Sequence, residues 1–142
     1  MLVDANLLLF SVDSTSVFHV TAARWIDEQL NGERRVAIPW ESLTAFARIA
    51  TNPRATERPL KPAEAWQFVD DWLAQPVVWV PVPTEDHSVV LGGLVRKYNL
   101  GANLIPDAHL AALAIEHGLE ICSADTDFAR FAEIRWRNPI GQ

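Results

Sequence analysis

"IPDAHLAALAIEHGLEICSADTDF", residues 105–128, contains the clearest sequence signals of the fold class. Pro106 near its start and Gly118 near its middle bound a helix, since proline is favoured in the first helical turn and glycine directly after the last. The short apolar run over residues 119–123 predicts a strand. Asp125 and Asp127 come directly after it. This stretch therefore consists of a helix, a strand and a pair of acids.

The same alternation continues towards both ends of the chain. Further strands are predicted at residues 1–3, 35–39 and 77–80, the last expected to be buried on both faces, with a fifth at 134–136. Helices are predicted over residues 18–31, 40–51, 62–75 and about 84–98. Such alternation is typical of an α/β domain with a mainly parallel sheet and helices on both faces. We predict a single three-layer α/β/α domain over residues 1–142.

Size and composition favour a cytoplasmic protein. A chain of 142 residues with 49% apolar residues can bury a core without disulfides or a structural metal. The single cysteine, Cys122, cannot form an internal disulfide. No apolar stretch approaches the roughly 18–20 residues that cross a bilayer, and the pattern of a signal peptide is lacking. We therefore expect a cytoplasmic location and no membrane partner.

The net charge of −6 is concentrated in a few acids. The chain has 18 acidic and 12 basic side chains, a balance that disfavours non-specific binding to nucleic acid unless much of the acidity belongs to one site. Thirteen acids against 12 bases remain when five are set aside: Asp4, Glu41, Asp107, Asp125 and Asp127.

These five acids follow the predicted strands or begin helices beside them. Asp4 follows the first predicted strand, and Glu41 lies in the first turn of the helix after the second strand. Asp125 and Asp127 follow the fourth strand. Carboxyl ends of parallel strands meet at one edge of a sheet, where ligands bind. Asp107, in the first turn of the helix before the fourth strand, is a candidate for the same pocket.

Each acid also has a local explanation, and that alternative stays open. Asp4 suits a turn, Glu41 and Asp107 suit the positive end of a helix dipole, and Asp125 suits a helix N-cap. Crowded carboxylates would raise one another's pKa, however, unless a cation lies among them. Mg²⁺ and Mn²⁺ prefer carboxylate and water oxygens, and no histidine or cysteine cluster offers a zinc site. Such a site indicates phosphodiester hydrolysis by metal-activated water.

Two rival functions fit less well. A phosphatase of the aspartyl-phosphate type needs Asp-x-Asp after the first strand, where this chain has Asp4-Ala5-Asn6. A non-catalytic module could use the acidic pocket only to seat a partner's arginine, and metal-dependent cleavage would distinguish it from an enzyme. The sequence contains no phosphate-binding glycine loop and no serine nucleophile motif.

Five segments together resemble the PIN-domain ribonucleases, in particular the mycobacterial-type branch of the VapC toxins of toxin–antitoxin systems. They are VDANLLLF (3–10), PWESLTAFARIATNPR (39–54), IPDAHLAALAIEHG (105–118), SADTDFARF (123–131) and IRWRNP (134–139). Their order and spacing are similar to those of the family. The resemblance implies a PIN fold and a Mg²⁺-dependent endoribonuclease, with Mn²⁺ as a possible substitute.

The resemblance also assigns roles to residues. The implied catalytic set is Asp4, Glu41, Asp107, Asp125 and Asp127. Asp4 and Asp107 would be the principal metal ligands, with Asp125 as third ligand and Asp127 as the alternative to it. Glu41 would bind through water or position the metal. The polar positions that orient these carboxylates by hydrogen bonding are matched by Asn6 and Ser123.

Partners follow from the same resemblance. VapC proteins generally form homodimers, cut structured RNA such as tRNA or ribosomal RNA, and bind a small VapB-like antitoxin, which can present an arginine to the acidic pocket. Direct attack by water would leave 5′-phosphate and 3′-hydroxyl ends.

Other polar and aromatic residues carry weaker signals. The densest basic stretch is a candidate for RNA phosphate contacts, although an ordinary solvated face explains it equally well: Arg48, Arg54, Arg58 and Lys61. The four histidines are scattered, and His109 is expected to point away from Asp107, so no catalytic role is assigned to them. Trp40 could line the pocket mouth, and Trp66 is expected in the core or a dimer interface.

Overall fold

The computed structural model describes residues 1–141 and has a five-stranded sheet between helices. Its elements, in chain order, are β1 (Leu2–Val3), α1 (Ala5–Val12), α2 (His19–Leu30), β2 (Val36–Ala37), α3 (Trp40–Ala50), α4 (Pro62–Leu73), β3 (Val78–Trp79), α5 (His87–Tyr98), α6 (Leu104–His117), β4 (Ile121–Cys122), a 3₁₀ helix (Thr126–Arg130) and β5 (Trp136–Arg137). The strand order is β3-β2-β1-β4-β5, and every pair is parallel. The predicted α/β class is confirmed.

Two cores lie on opposite faces of the sheet, because successive strand residues point to opposite sides. Val3 and Cys122 belong to the core formed with α1, α2, α3 and α4. Leu2 and Ile121 belong to the core formed with α5 and α6. The predicted three-layer α/β/α arrangement is therefore confirmed.

Helix boundaries follow the sequence signals closely. Pro62 is the first residue of α4, and Gly118 ends α6 with a φ of 66°, a conformation that glycine adopts without steric penalty. Asn99 ends α5 in the same left-handed region, with a φ of 52°. The short strand predicted near the C-terminus is present as β5.

Two features of the fold differ from expectation. The sequence pattern does not predict α1, because a continuous apolar run such as Leu7–Leu9 fits a buried strand and a buried helix equally well. The expectation that β3 is buried on both faces is wrong, since it lies at the sheet edge and its residues are half-buried. Trp79 of β3 is covered by Arg35, whose guanidinium carbon lies 4.8 Å from the ring centroid.

Cys122 is a free thiol buried in the first core, and burial raises its pKa. Within residues 1–141, none of the helices combines the length and the apolar character that a membrane crossing requires.

Candidate active site

Asp4 lies at the carboxyl end of β1, the central strand, and caps the N-terminus of α1. Its Oδ1 accepts a hydrogen bond from the Ala5 N–H at 2.8 Å, and its Oδ2 accepts one from the Ser123 hydroxyl at 2.7 Å. Burial raises the pKa of Asp4, the two donors oppose the shift, and the nearby charge of Asp125 adds to it. The local capping role is therefore real, and it leaves the carboxylate fixed at the edge of the sheet.

Asn6 and Ser123 hold the ends of β1 and β4 together. The Asn6 amide nitrogen donates to Ser123 Oγ at 3.1 Å and to Asp4 Oδ2 at 3.3 Å, while its oxygen accepts from the Ala124 N–H at 3.2 Å. Ser123 Oγ also accepts from the Asp125 N–H at 3.0 Å, and the residue is fully buried. These contacts are those expected of residues that orient carboxylates.

Asp125 and Asp127 begin the 3₁₀ helix after β4. Asp125 Oδ1 accepts from the Asp127 N–H at 2.8 Å, so the predicted N-cap is present. The carboxylate of Asp127 is 47% exposed and lies 3.3 Å from the Arg130 guanidinium. Capping occupies one oxygen of Asp125, which leaves the second oxygen available to a ligand.

Asp107 joins this pair in a cluster of three carboxylates. One carboxylate oxygen from each of Asp107, Asp125 and Asp127 lies within 4.8 Å of the others. Burial and the negative charges of Asp125, Asp4 and Asp127 together raise the pKa of Asp107 to about 6. The three oxygens are close enough to share one divalent cation, which would relieve this repulsion.

Glu41 approaches the cluster from the first turn of α3. The next residue, Ser42, is buried and donates from its hydroxyl to the Val3 carbonyl at 2.8 Å, which ties α3 to the end of β1. Glu41, Asp4 and Asp107 line one cavity of about 400 Å³. The structure thus brings all five predicted acids to one edge of the sheet.

His109 was missed by sequence reasoning. It lines the same cavity as Asp107 instead of pointing away from it, and its Nε2 lies 3.3 Å from Glu41 Oε2. The adjacent imidazole lowers the pKa of Glu41. A residue two positions along a helix from a site acid is a poor candidate by spacing alone, because it lies about 200° around the axis. Its contact with α3 depends on tertiary packing.

The four basic residues predicted to bind RNA lie apart from the acids. Arg48 is in the last turn of α3, at the opposite end from Glu41, and Arg54, Arg58 and Lys61 follow in the exposed segment before α4. Counted along α3, Glu41 and Arg48 are separated by about 10 Å. Their role in binding RNA stays a prediction.

Two tryptophans stack beside the site. Trp40, next to Glu41, and Trp66 of α4 have ring centroids 6.4 Å apart and an interplanar angle of 9°. Each is 43% exposed, so Trp66 does not lie in the core, and its place in a dimer interface stays a prediction. A half-exposed aromatic pair at this position is accessible to a base or a protein partner.

Comparison with known proteins agrees with the geometry. The family model of the PIN domain matches residues 1–134. The ribonuclease VapC37 of Mycobacterium tuberculosis is 45% identical over 138 residues, which cover 97% of this chain and 96% of that protein.

Solved structures of more distant sequence share the fold. The VapBC2 proteins from Rickettsia felis, solved bound to a DNA fragment from their promoter, match with a TM-score of 0.71 at 12% identity. The match covers 96% of this chain and 96% of that one. M. tuberculosis VapC20, a toxin that cleaves the sarcin-ricin loop, matches with a TM-score of 0.67 at 22% identity over 94% of this chain and 98% of that one. A toxin–antitoxin complex from Klebsiella pneumoniae matches with a TM-score of 0.62 at 20% identity, over 97% of this chain and 96% of that one. The matched family model, the extent of the identity and the acidic sheet edge show that this chain belongs to the VapC ribonucleases of the PIN-domain family.

Proposed function

We propose that this protein is the toxin of a toxin–antitoxin pair and cuts RNA by Mg²⁺-dependent hydrolysis at the acidic edge of its sheet. The observation that carries the proposal is the convergence of Asp107, Asp125 and Asp127, with oxygens within 4.8 Å of one another, beside Asp4 and Glu41. Membership of the VapC ribonucleases supports the reaction class.

The donor set fits a hard divalent cation. The candidate ligands Asp4, Asp107, Asp125 and Asp127 offer only carboxylate oxygens, which Mg²⁺ and Mn²⁺ prefer over the nitrogen and sulfur ligands of zinc sites. The raised pKa of Asp107 supports the same conclusion, because it reflects burial together with the negative charges of the neighbouring carboxylates, which outweigh the charge of Arg130. Such an ion would activate a water molecule and offset negative charge on the phosphodiester.

The chain's own residues then have separate tasks. Asp4 is oriented by the Ser123 hydroxyl, the Asn6 amide and the Ala5 N–H, and its side chain lines the cavity. Glu41, with its lowered pKa, remains ionised at neutral pH and can accept a proton from the attacking water at Oε1, the oxygen that does not face His109.

RNA would approach this acidic edge with its phosphates held elsewhere. The exposed basic residues Arg48, Arg54, Arg58 and Lys61 are suited to phosphates a few nucleotides from the cut bond, because they lie at the far end of α3 from Glu41. This separation lets cations bind the substrate without cancelling the charge of the metal ligands.

Two protein partners complete the proposal: a VapB-like antitoxin and a second copy of the chain. Three side chains before and within the first turn of α2 are unusually exposed for apolar residues, with Val17 at 90%, Phe18 at 43% and Val20 at 67%. Exposed apolar clusters of this kind support a protein–protein contact. Light scattering on the isolated chain tests the homodimer directly.

The test of the enzymatic function uses purified protein, free of antitoxin, with total cellular RNA and Mg²⁺. EDTA and Asp4→Ala are the parallel controls, and the cut ends are mapped by sequencing. We expect discrete cuts that disappear in both controls. Absence of cuts with either Mg²⁺ or Mn²⁺ would contradict the proposed function and favour a pocket that only seats a partner's arginine.

A further inference from the structure

A line of hydrogen-bonding groups runs from the acidic cavity into the interface between α5 and α6. His109 Nε2 lies 3.3 Å from Glu41 Oε2, and His109 Nδ1 lies 2.9 Å from His87 Nε2. The other nitrogen of His87, Nδ1, lies 2.5 Å from Glu116 Oε2. Four side chains from three helices thus form one continuous series.

The inner end of this series is rigidly held. The Glu116 side chain is only 2% exposed, and its Oε1 accepts from both the N–H of Thr84 at 2.9 Å and its hydroxyl at 2.6 Å. Burial alone would raise the pKa of Glu116, but the donors from Thr84 and His87 lower it overall. A buried carboxylate with this many donors is a fixed acceptor.

The fixed acceptor determines the direction of the next bond. A carboxylate only accepts, so His87 donates from Nδ1 to Glu116. The His87 and His109 rings are nearly perpendicular, at 81°, and only one proton lies between His87 Nε2 and His109 Nδ1. With His87 Nδ1 donating to Glu116, His109 Nε2 can donate to Glu41 only when the two imidazoles together hold three protons, so the pair then carries one positive charge between the two carboxylates. The orientation of the His109 ring is therefore fixed by His87 and Glu116, which do not touch the acidic cluster.

From this arrangement we propose that His109, His87 and Glu116 are positioning residues for the nuclease reaction, in which Glu116 and His87 orient the His109 ring so that its Nε2 holds the Glu41 carboxylate in place. The inference rests on the proposed function, because it gives Glu41 a part in RNA hydrolysis. Glu41 needs such support since its side chain is 41% exposed, and the His109 ring is the side chain that lies against its carboxylate.

A purely structural role is the competing explanation, because Glu116 also joins the segment before α5 to α6. The two explanations differ in what His109 does. If Glu116 acts through His109, replacing Glu116 lowers kcat little further once the His109 ring has been removed. If Glu116 only stabilises the fold, the two effects add.

The kinetic test compares Glu116→Gln and His87→Gln with His117→Gln, a matched control one residue from Glu116 whose ring bonds only to the Val82 carbonyl among the described residues. Removing a partner that orients an active-site group lowers activity by about tenfold or more. We expect this loss in kcat for Glu116→Gln and His87→Gln, with KM changed by less than about twofold, since substrate binding is untouched. His117→Gln retains wild-type kinetics.

The same loss is expected in His109→Ala, and Glu116→Gln adds little in that background. His109→Gln recovers part of the rate, because its amide can still donate to Glu41. Wild-type kcat in folded Glu116→Gln, or additive losses in the double variant, would overturn the proposal while leaving the nuclease intact. A wild-type chain that cuts no RNA would instead overturn the proposed function.

A second measurement needs neither RNA nor metal. In the wild-type chain with ¹⁵N-labelled histidine and EDTA, a scalar coupling across the hydrogen bond is expected between His87 Nε2 and His109 Nδ1. Glu116→Gln should abolish it or shift the His109 ring resonances, and His117→Gln should not. A folded wild-type chain without this coupling would contradict the proposed series, whatever the substituted chains do.

Discussion

Replacing Asp107 by asparagine should stabilise the metal-free protein at neutral pH while it destroys metal binding. The pKa of Asp107 lies at about 6, against an ordinary value of 3.8, chiefly because the carboxyl is partly buried beside Asp125, Asp4 and Asp127. The ionised form is therefore disfavoured in the folded chain. Asparagine keeps the shape and removes the charge.

The magnitude follows from the shift in pKa. A pKa of about 6 against the ordinary 3.8 corresponds to about 3 kcal/mol, and solvent screening of this partly exposed carboxylate reduces the expected effect to about 1–2 kcal/mol. Because the folded state binds more protons than the unfolded state between about pH 4 and pH 6, the contribution of Asp107 to stability falls as pH rises through this interval. The destabilisation is fully present above the folded pKa and absent below the unfolded one.

Urea unfolding in EDTA across this pH range measures the effect. We expect Asp107→Asn to exceed the wild type by about 1–2 kcal/mol near pH 7 and by less than about 0.5 kcal/mol near pH 4. Asp70→Asn is the matched control, since Asp70 is exposed on α4 and outside the cavity. Added Mn²⁺ should make the wild type more stable than Asp107→Asn near pH 7, because the ion binds and stabilises only the wild type.

If Asp107→Asn were no more stable than the wild type in EDTA near pH 7, the ionised Asp107 carboxylate would not destabilise the folded chain. A gain in stability that stays constant with pH would lead to the same conclusion, because its origin would then be something other than the ionised carboxylate. An equal gain in Asp70→Asn would point to net charge instead of the local cluster.

Three further substitutions test the anchoring of α3, the orientation of Asp4 and the basic segment before α4. Ser42→Ala leaves the buried Val3 carbonyl without its donor and should lower the free energy of unfolding by about 1–3 kcal/mol in a urea titration; no change would contradict the anchoring role. Ser123→Ala removes the 2.7 Å bond to the carboxylate at the end of β1 and should weaken Mn²⁺ binding by about tenfold in isothermal titration, whereas unchanged affinity would exclude an orienting role. Neutralising Arg54 and Arg58 together should weaken RNA binding and lower the slope of log K against log salt by about 2, with Mn²⁺ affinity unchanged; an unaltered slope would remove both residues from the interface.

The fold was largely predictable because its signals are local. Pro62 and Gly118 mark helix ends through their own backbone preferences, which do not depend on distant contacts. Helix α1 was missed, since residues 7–10 are apolar without a break and therefore show neither helical nor strand periodicity. The edge position of β3 depends on strand order, which local pattern does not encode.

The acidic site was predictable for a different reason. Parallel strands place their carboxyl ends together, so Asp4 and Asp125 could be paired from topology alone. The contact of His109 with Glu41 could not, because it depends on how α3 packs near α6. One signal was available: His109 and Glu116 are seven residues apart and therefore lie on the same face of α6. Their link through His87 of α5 is visible only in three dimensions.

The chemistry of the cut ends shows directly whether RNA is hydrolysed by water at the acidic edge. Once a cut has been mapped, an RNA with a single 2′-deoxynucleotide on the 5′ side of the scissile phosphate distinguishes attack by water from attack by the neighbouring 2′-hydroxyl. Hydrolysis at the acidic edge predicts that this RNA is still cut, that EDTA abolishes the cut, and that the products carry 3′-hydroxyl and 5′-phosphate ends. Loss of cleavage in the 2′-deoxy substrate, together with 2′,3′-cyclic phosphate ends on the unmodified RNA, would contradict the account.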